Sequence, residues 1–281
     1  MEENMEQVIK CGSYTLNYGQ KTLVMGILNA TPDSFSDGGN YNSVDKALYH
    51  AEQMIKDGAD IIDIGGESTR PGYEAVSEQE EAGRVVPVIE AISSRMEIPI
   101  SIDTYKAGVA KAAIDAGAHI INDIWRGKAD KKMADLAAGT GVPIVLMHNR
   151  PDRNYNFFIR DAIGDLFESI HLMKSAGVKD ENIILDPGIG FAKDYDLNLE
   201  MMRNLHIITS LGYPVLLGTS RKGFIGQTLD LPPQQRMEGT GATVCYGIQQ
   251  GCQIIRVHDV KEMTRMAKMM DAMMQKGNRN G

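Results

Sequence analysis

The 281-residue chain predicts an α/β protein folded as a (β/α)8 TIM barrel, a single domain over 1–281 with a short N-terminal hairpin. Three observations carry that reading. Eight short apolar runs recur along the length, rich in Ile, Val and Leu on successive rather than alternate positions, as in strands covered on both faces. Helical patterns separate the runs and end at glycines. The length also suits one such barrel, which typically takes ~250 residues.

In chain order, residues 8–18 (VIKCGSYTLNY) read as a hairpin that plugs the barrel floor. The first run is TLVMGILN (22–29). A helix over 43–58 follows, with Val44, Ala47, Leu48, Ala51 and Ile55 on one face and Gly58 at the C-cap position. After DIIDIGG (60–66), Ser77 and Glu80 have capping-box spacing at the start of a helix that Pro87 is expected to kink. PISIDT (99–104) precedes a helix over 105–117; HIINDI (119–124) and PIVLMH (143–148) precede one over 160–176. IILDPG (183–188) leads to a single helix over 198–211, and PVLLGTS (214–220) and IIRVHD (254–259) complete the set. The last helix, 260–275, carries Met263, Met266, Met269, Met270, Met273 and Met274, a stripe suited to core or subunit packing. Tails 1–7 and 277–281 are expected to be disordered. A doubly wound open sheet is the rival fold, disfavoured because no GxGxxG opens the chain and no composition shift marks a second domain.

Composition narrows the function classes. A formal net charge of −8 argues against a nucleic-acid binder, so an anionic substrate would have to be held by local cations. The three cysteines form no CxxC and no even framework, which suits packing in a reduced compartment. The acidic start MEENMEQ lacks signal-peptide character, and no run of ~20 apolar residues suggests a membrane span, so a cytoplasmic location is expected.

Chemistry in such barrels sits at the C-terminal ends of the strands. The runs end, in order, at Asn29; Asp63 and Glu67; Asp103; Asn122 with Asp123; Met147 with His148; Asp186; Ser220 with Lys222; and Arg256 with His258. Singly these have plain explanations. Asp103 can cap a helix, Asp186-Pro187-Gly188 can be a turn, and a lone His148 suits a satisfied structural histidine. Together they would leave many buried polar groups needing partners, a cost that a polar ligand in the mouth removes. The charges also segregate. Asp103, Asn122 and Asp186 suit a ligand edge rich in N–H donors. Arg221, Lys222, Arg256 and His258 follow the last two runs, where phosphate sites in these barrels frequently fall. Two long polar loops, 29–39 and 65–72, read as lids, with Phe35 on one and Arg70 beside Pro71 on the other.

MGILNATPDSFSDGG (25–39) and GADIIDIGGESTRPG (58–72) resemble the two signature stretches of the dihydropteroate synthases. IINDI (120–124), LDPGIGF (185–191), GTSRKGFIG (218–226) and RVHDV (256–260) follow in that family's order, so the resemblance covers essentially the whole chain. It implies a transferase of folate biosynthesis that joins a pterin methyl pyrophosphate to p-aminobenzoate. It implies a pterin site of Asp103, Asn122, Met147, Asp186, Phe191, Gly218, Lys222 and Arg256. It further implies Asn29, Thr69, Arg70, Arg256, Val257 and His258 at the pyrophosphate, with Asn29 toward Mg2+. Phe35, Pro71, Ser220 and Lys222 would form the p-aminobenzoate site, for which sulfonamides compete. Asp103, Lys222 and Arg256 carry the implied catalytic roles, and a homodimer through the late helices is expected.

The residues suit that chemistry on their own terms. No HExxH motif, GxSxG elbow or Ser-His-acid triad is present, and none is needed. Pyrophosphate can leave first from a methylene attached to an electron-rich dihydropterin, and the protein then neutralises the anion and shields the cation. Three other readings stay open. A pterin-dependent methyltransferase would share the barrel but need neither the Arg256–His258 anion site nor the two lids. A Schiff-base aldolase would use Lys222, which in a loop facing an anion is expected to keep an unlowered pKa. A non-catalytic pterin-binding relative would bind without turnover.

Overall fold

The hairpin and all eight apolar runs form strands. The computed structural model describes residues 7–31, 40–67 and 76–277, with 40–43 as backbone alone. The hairpin is β1 (Val8–Cys11) and β2 (Tyr14–Asn17), paired antiparallel. The runs become β3 (Leu23–Asn29), β4 (Ile61–Gly65), β5 (Ile100–Asp103), β6 (Ile120–Asp123), β7 (Ile144–Met147), β8 (Ile183–Asp186), β9 (Leu216–Leu217) and β10 (Ile254–Val257). They lie parallel in the order β8-β7-β6-β5-β4-β3-β10-β9, and a bridge between Leu185 and Val215 brings the two ends of the sheet together. β9 is shorter than its run: the Val215 N–H goes to the Gln253 side chain at 2.8 Å, and Val215 meets β8 only through its single bridge to Leu185.

The helices are α1 (Asn40–Lys56), α2 (Glu78–Ser93), α3 (Ala107–Asp115), α4 (Met133–Thr140), α5 (Phe158–Ala176), α6 (Tyr195–Arg203), α7 (Leu205–Thr209), α8 (Gly223–Leu229), α9 (Met237–Gln249) and α10 (Val260–Met273). Ser77 caps α2 as expected, its hydroxyl accepting the Glu80 N–H at 3.2 Å. Pro87 lies inside α2, which continues through it to Ser93. The single helix expected over 198–211 is instead two, because Asn204 leaves helical geometry at φ −108°, ψ 15°. Of the tail residues expected to be disordered, Gln7 is fixed: its carbonyl accepts from Tyr18 and Gly19 at 3.0 and 3.2 Å. Residues 1–6 and 278–281 lie outside the described residues.

Side chains alternate faces along a strand, and that alternation divides the interior in two. One set, Leu23, Met25, Ile61, Ile120, Val145, Ile184, Leu216 and Ile254, points into the barrel and packs with Ile9, Cys11 and Leu16 of the hairpin, which seals the floor as expected. The alternate set, including Val24, Ile62, Ile102, Ile121, Leu146, Leu185, Leu217 and Val257, packs outward against the helices. The methionine stripe of α10 splits between the two environments. Met263 is buried and Met266 and Met270 pack at the edge of the core, whereas Met269 and Met273 are each 59% exposed.

Candidate active site

Two residues beyond the inward-facing floor positions, the same strands carry polar groups. Arg256 of β10 is gripped by two carboxylates: its Nε donates to Asp63 Oδ2 at 2.6 Å and its Nη2 to Asp103 Oδ2 at 2.5 Å. Asn122 Nδ2 donates to the same Asp63 oxygen at 3.2 Å. Burial pulls Arg256 down, but Asp63 and Asp103 outweigh it and hold the guanidinium above its ordinary range. Burial pushes the Asp103 carboxyl up; Arg256 opposes this and Asp63 adds to it. The second oxygen of each carboxylate, Asp63 Oδ1 and Asp103 Oδ1, is buried with no hydrogen-bond partner among the described residues. Such an orphan costs about 1–3 kcal/mol, more when charged, so a ligand bearing N–H groups would be bound in part by relieving it.

Asp186 ends β8, almost fully buried, with Oδ1 accepting the Gly188 N–H at 2.7 Å. Burial raises its pKa to about 6. Gly218 leaves the space beside it open, since a Cβ there would come no nearer than 3.8 Å to Asp186 Oδ2. The Lys222 ammonium sits 4.2 Å from the centre of the Phe191 ring, and Met147, ending β7, is 4% exposed.

The Lys222 expectation is overturned here. Burial, reinforced by Arg256, lowers its pKa to about 8. Lys222 stands at the N-cap position of α8 in extended backbone, and its side chain lies along Gly190 with the ammonium over the Phe191 ring although the residue belongs to a loop. Its loop position therefore no longer argues against a Schiff-base role, and the family must decide that question.

On the cationic side, Ser220 and His258 are joined twice. The His258 N–H donates to Ser220 Oγ at 3.1 Å, and Ser220 Oγ lies 2.9 Å from His258 Nδ1. Arg221 is not part of this group, because Asp259 holds it at 3.1 and 2.5 Å. Val257 has its side chain in the outer core and has only its backbone to offer an anion. Asn29 ends β3 exposed. Phe35, Thr69, Arg70 and Pro71 lie outside the described residues.

Other strand-end residues serve structure. Asp123 accepts the Trp125 and Gly127 N–H groups at 2.7 and 2.6 Å, Glu67 pairs with Lys106, and His148 is fully buried with partners on both ring nitrogens. Two residues of consequence had no role assigned from sequence. Asp63 is the hub joining Arg256 to Asn122, and its signal was its place two residues after inward-facing Ile61. Lys193 lies buried behind the β8 loop, and nothing local in the sequence separates it from a surface lysine.

A family described as pterin binding enzyme matches residues 25–258. The dihydropteroate synthase of Bacillus subtilis (strain 168) is 66% identical over 271 residues, covering 96% of this chain and 95% of that protein. The structure of Xanthomonas albilineans dihydropteroate synthase with 4-aminobenzoic acid matches with a TM-score of 0.92 at 38% identity, over 96% of this chain and 99% of that one. That of the Yersinia pestis dihydropteroate synthase with a sulfonamide drug matches with a TM-score of 0.90 at 42% identity, over 95% and 99%. With the barrel, the carboxylate-lined mouth and these similarities in agreement, the chain belongs to the dihydropteroate synthase family of pterin-binding enzymes.

Proposed function

We propose that the barrel works as one pterin-binding domain that condenses 6-hydroxymethyl-7,8-dihydropterin pyrophosphate with p-aminobenzoate, giving 7,8-dihydropteroate and pyrophosphate. The observation that carries this reading is the pair of orphaned carboxylate oxygens, Asp63 Oδ1 and Asp103 Oδ1, beside the cations Arg256 and Lys222. A ligand with a donor-rich heterocycle and an anionic tail satisfies both at once.

In this mechanism Asp186, Asn122 and Asp103 hold the amino-pyrimidinone edge, while Met147, Phe191 and Gly218 shape the slot. Lys222 bonds the ring from the side, and Arg256 lies on its face. The C–O bond between the pterin methylene and the pyrophosphate breaks first, and pyrophosphate departs with the electron pair toward Arg256, His258 and the Val257 backbone. Asp103 stabilises the delocalised pterin cation. The p-aminobenzoate nitrogen then forms the C–N bond with the methylene and releases its proton to water. Ser220 and Lys222 line its site, with Phe35 and Pro71 from the two loops, and Thr69 and Arg70 reach the pyrophosphate. Sulfonamides compete at the p-aminobenzoate position.

Magnesium fits this site together with the substrate. Among the described residues no group of three or more His, Cys, Asp or Glu side chains could hold an ion. Asn29 supplies one oxygen donor, and Mg2+ characteristically takes one or two protein oxygens with phosphates and water. When bound, the ion would neutralise part of the pyrophosphate charge. We also assign the protein to the cytoplasm as a homodimer joined through α10, whose exposed Met269 and Met273 lie four residues apart.

The test is pyrophosphate release by purified protein with Mg2+, the pterin pyrophosphate and p-aminobenzoate, with and without a sulfonamide. Release requiring both substrates, with competitive inhibition against p-aminobenzoate, supports the reading. Pterin binding without release would replace it with a non-catalytic or methyl-transferring relative.

A further inference from the structure

Lysine is almost never fully buried unless paired, yet Lys193 is 4% exposed. It ends the loop leaving β8, and each of its three ammonium protons has an acceptor. These are His148 Nδ1 at 2.9 Å, the Gly188 carbonyl at 2.9 Å and the Phe191 carbonyl at 3.0 Å. Three donors with no acceptor is the inventory of an ammonium group; burial lowers its pKa to about 7, against Asp186, so this is the form held at and below that pH. Behind it, His148 Nε2 lies 3.1 Å from Asp165 Oδ2. With Nδ1 accepting from Lys193, the imidazole is neutral and its Nε2–H donates to Asp165. Burial lowers the His148 pKa to about 4, which agrees with that tautomer. Asp165 is in turn held by Arg150 at 2.5 Å. A chain Arg150–Asp165–His148–Lys193 thus runs from the half-buried Arg150 to the loop.

The loop needs such an anchor. Gly188 has φ +67°, and a Cβ there would come within 1.9 Å of the His148 carbonyl oxygen. Ala192 has φ +48°, in the left-handed region that costs a residue with a Cβ roughly 1–2 kcal/mol. The Tyr155 hydroxyl donates to the Ala192 carbonyl at 3.0 Å, and Asn198 Oδ1 accepts the Gly190 N–H at 2.6 Å. Strained backbone persists where surrounding bonds over-determine it. Asp186 stands immediately before this loop and Phe191, under Lys222, lies within it.

We propose that Lys193 is a positioning residue for pterin recognition: it fixes the Pro187–Ala192 loop so that Asp186 and Phe191 bound one slot. All three of its donors are committed, so it acts on the ligand through the loop and does not touch it. The inference rests on the functional reading above, in that the slot must be the pterin site.

The test measures the Kd for pterin pyrophosphate and, at saturating pterin pyrophosphate, the KM for p-aminobenzoate. Lys193→Met should raise the pterin Kd about tenfold or more and leave the p-aminobenzoate KM within about twofold, in keeping with lost hydrogen bonds on one substrate's side only. Tyr155→Phe, which removes one hydroxyl and keeps the ring, should raise the pterin Kd about threefold with the same selectivity. An unchanged pterin Kd in folded Lys193→Met, or an equal rise in both constants, overturns the proposal. If Lys193→Met does not fold, Tyr155→Phe decides by the same criteria. Wild-type protein that fails to release pyrophosphate would overturn the functional reading instead, so the two failures are distinguishable.

Discussion

At the floor of the barrel Ile61, Ile120, Ile184 and Ile254 point inward against Ile9 and Leu16 of the hairpin. Two residues further along the same four strands stand Asp63, Asn122, Asp186 and Arg256. The backbone geometry is the same at both levels and the chemistry is opposite. Each fully buried Ile or Leu at the floor contributes about 1.5–3 kcal/mol relative to exposure. At the mouth, buried Asp103 and Asp186 are pushed up in pKa, and Asp63 Oδ1 and Asp103 Oδ1 lack partners among the described residues. Stability is generated at one end, and at the other it is given up for a surface complementary to a ligand.

The contrast is broken most severely at Arg256. Arg256→Met removes the cation shared by Asp63 and Asp103, and turnover should fall about 10³-fold or more, the scale of losing a preorganised electrostatic partner. Stability should fall by about 3–5 kcal/mol, because two buried carboxylates lose their counter-ion. Single-turnover pyrophosphate release and thermal denaturation measure the two effects; loss of activity without loss of stability would mean that the carboxylates are neutral before substrate binds. Asp103→Asn is next. If the pterin cation forms before p-aminobenzoate attacks, kcat should drop about 10²-fold while pterin pyrophosphate binding changes far less. Equal losses in both would remove the dissociative mechanism. At the floor, Ile9→Ala should cost about 2–5 kcal/mol of stability. Its kcat/KM per folded molecule should match wild type, and a coupled loss of activity would show that the two ends are not independent.

The barrel was legible in the sequence because buried parallel strands are continuous apolar runs, and eight of them survive as strands. The same continuity hides which side chains face in. Val257 sits in RVHDV beside Arg256 and His258, where the resemblance puts it at the pyrophosphate, yet its side chain points to the helices and leaves only its backbone for that role. Asp63 shows the converse: its run reads as strand, but only the strand period places it two steps above Ile61 and under Arg256. Lys222 was expected to keep an unlowered pKa because it lies in a loop facing an anion, whereas burial beside Arg256 lowers it. Lys193 could not be singled out at all, since its partners His148 and Gly188 come from two different loops. His148, by contrast, is the satisfied histidine that the sequence suggested.

The smallest expected effect separates the two sides of the mouth by their titration. Burial raises Asp186 to about 6, so its carboxylate is lost as pH falls through that value. Burial lowers Lys222 to about 8, so its charge is lost as pH rises through that value. With Asp186 and Lys222 alone, pterin affinity would be greatest between about 6 and about 8; Asp103, raised by burial to about 7, and Lys193, lowered by burial to about 7, narrow that optimum toward 7. Affinity should decline about tenfold per pH unit on either side, one proton being linked to binding on each limb. Calorimetric titration of a pterin ligand across this range measures the profile, and Asp186→Asn should flatten the acid limb while leaving the alkaline one. If the acid limb survives in that variant, the titrating group is Asp103, whose carboxyl is also pushed up by burial, and recognition of the heterocycle is centred on the Arg256 cluster rather than on β8. If the alkaline limb vanishes together with the acid limb, Lys222 is charged only because Asp186 is, and the pair recognises the ring as one ionic unit.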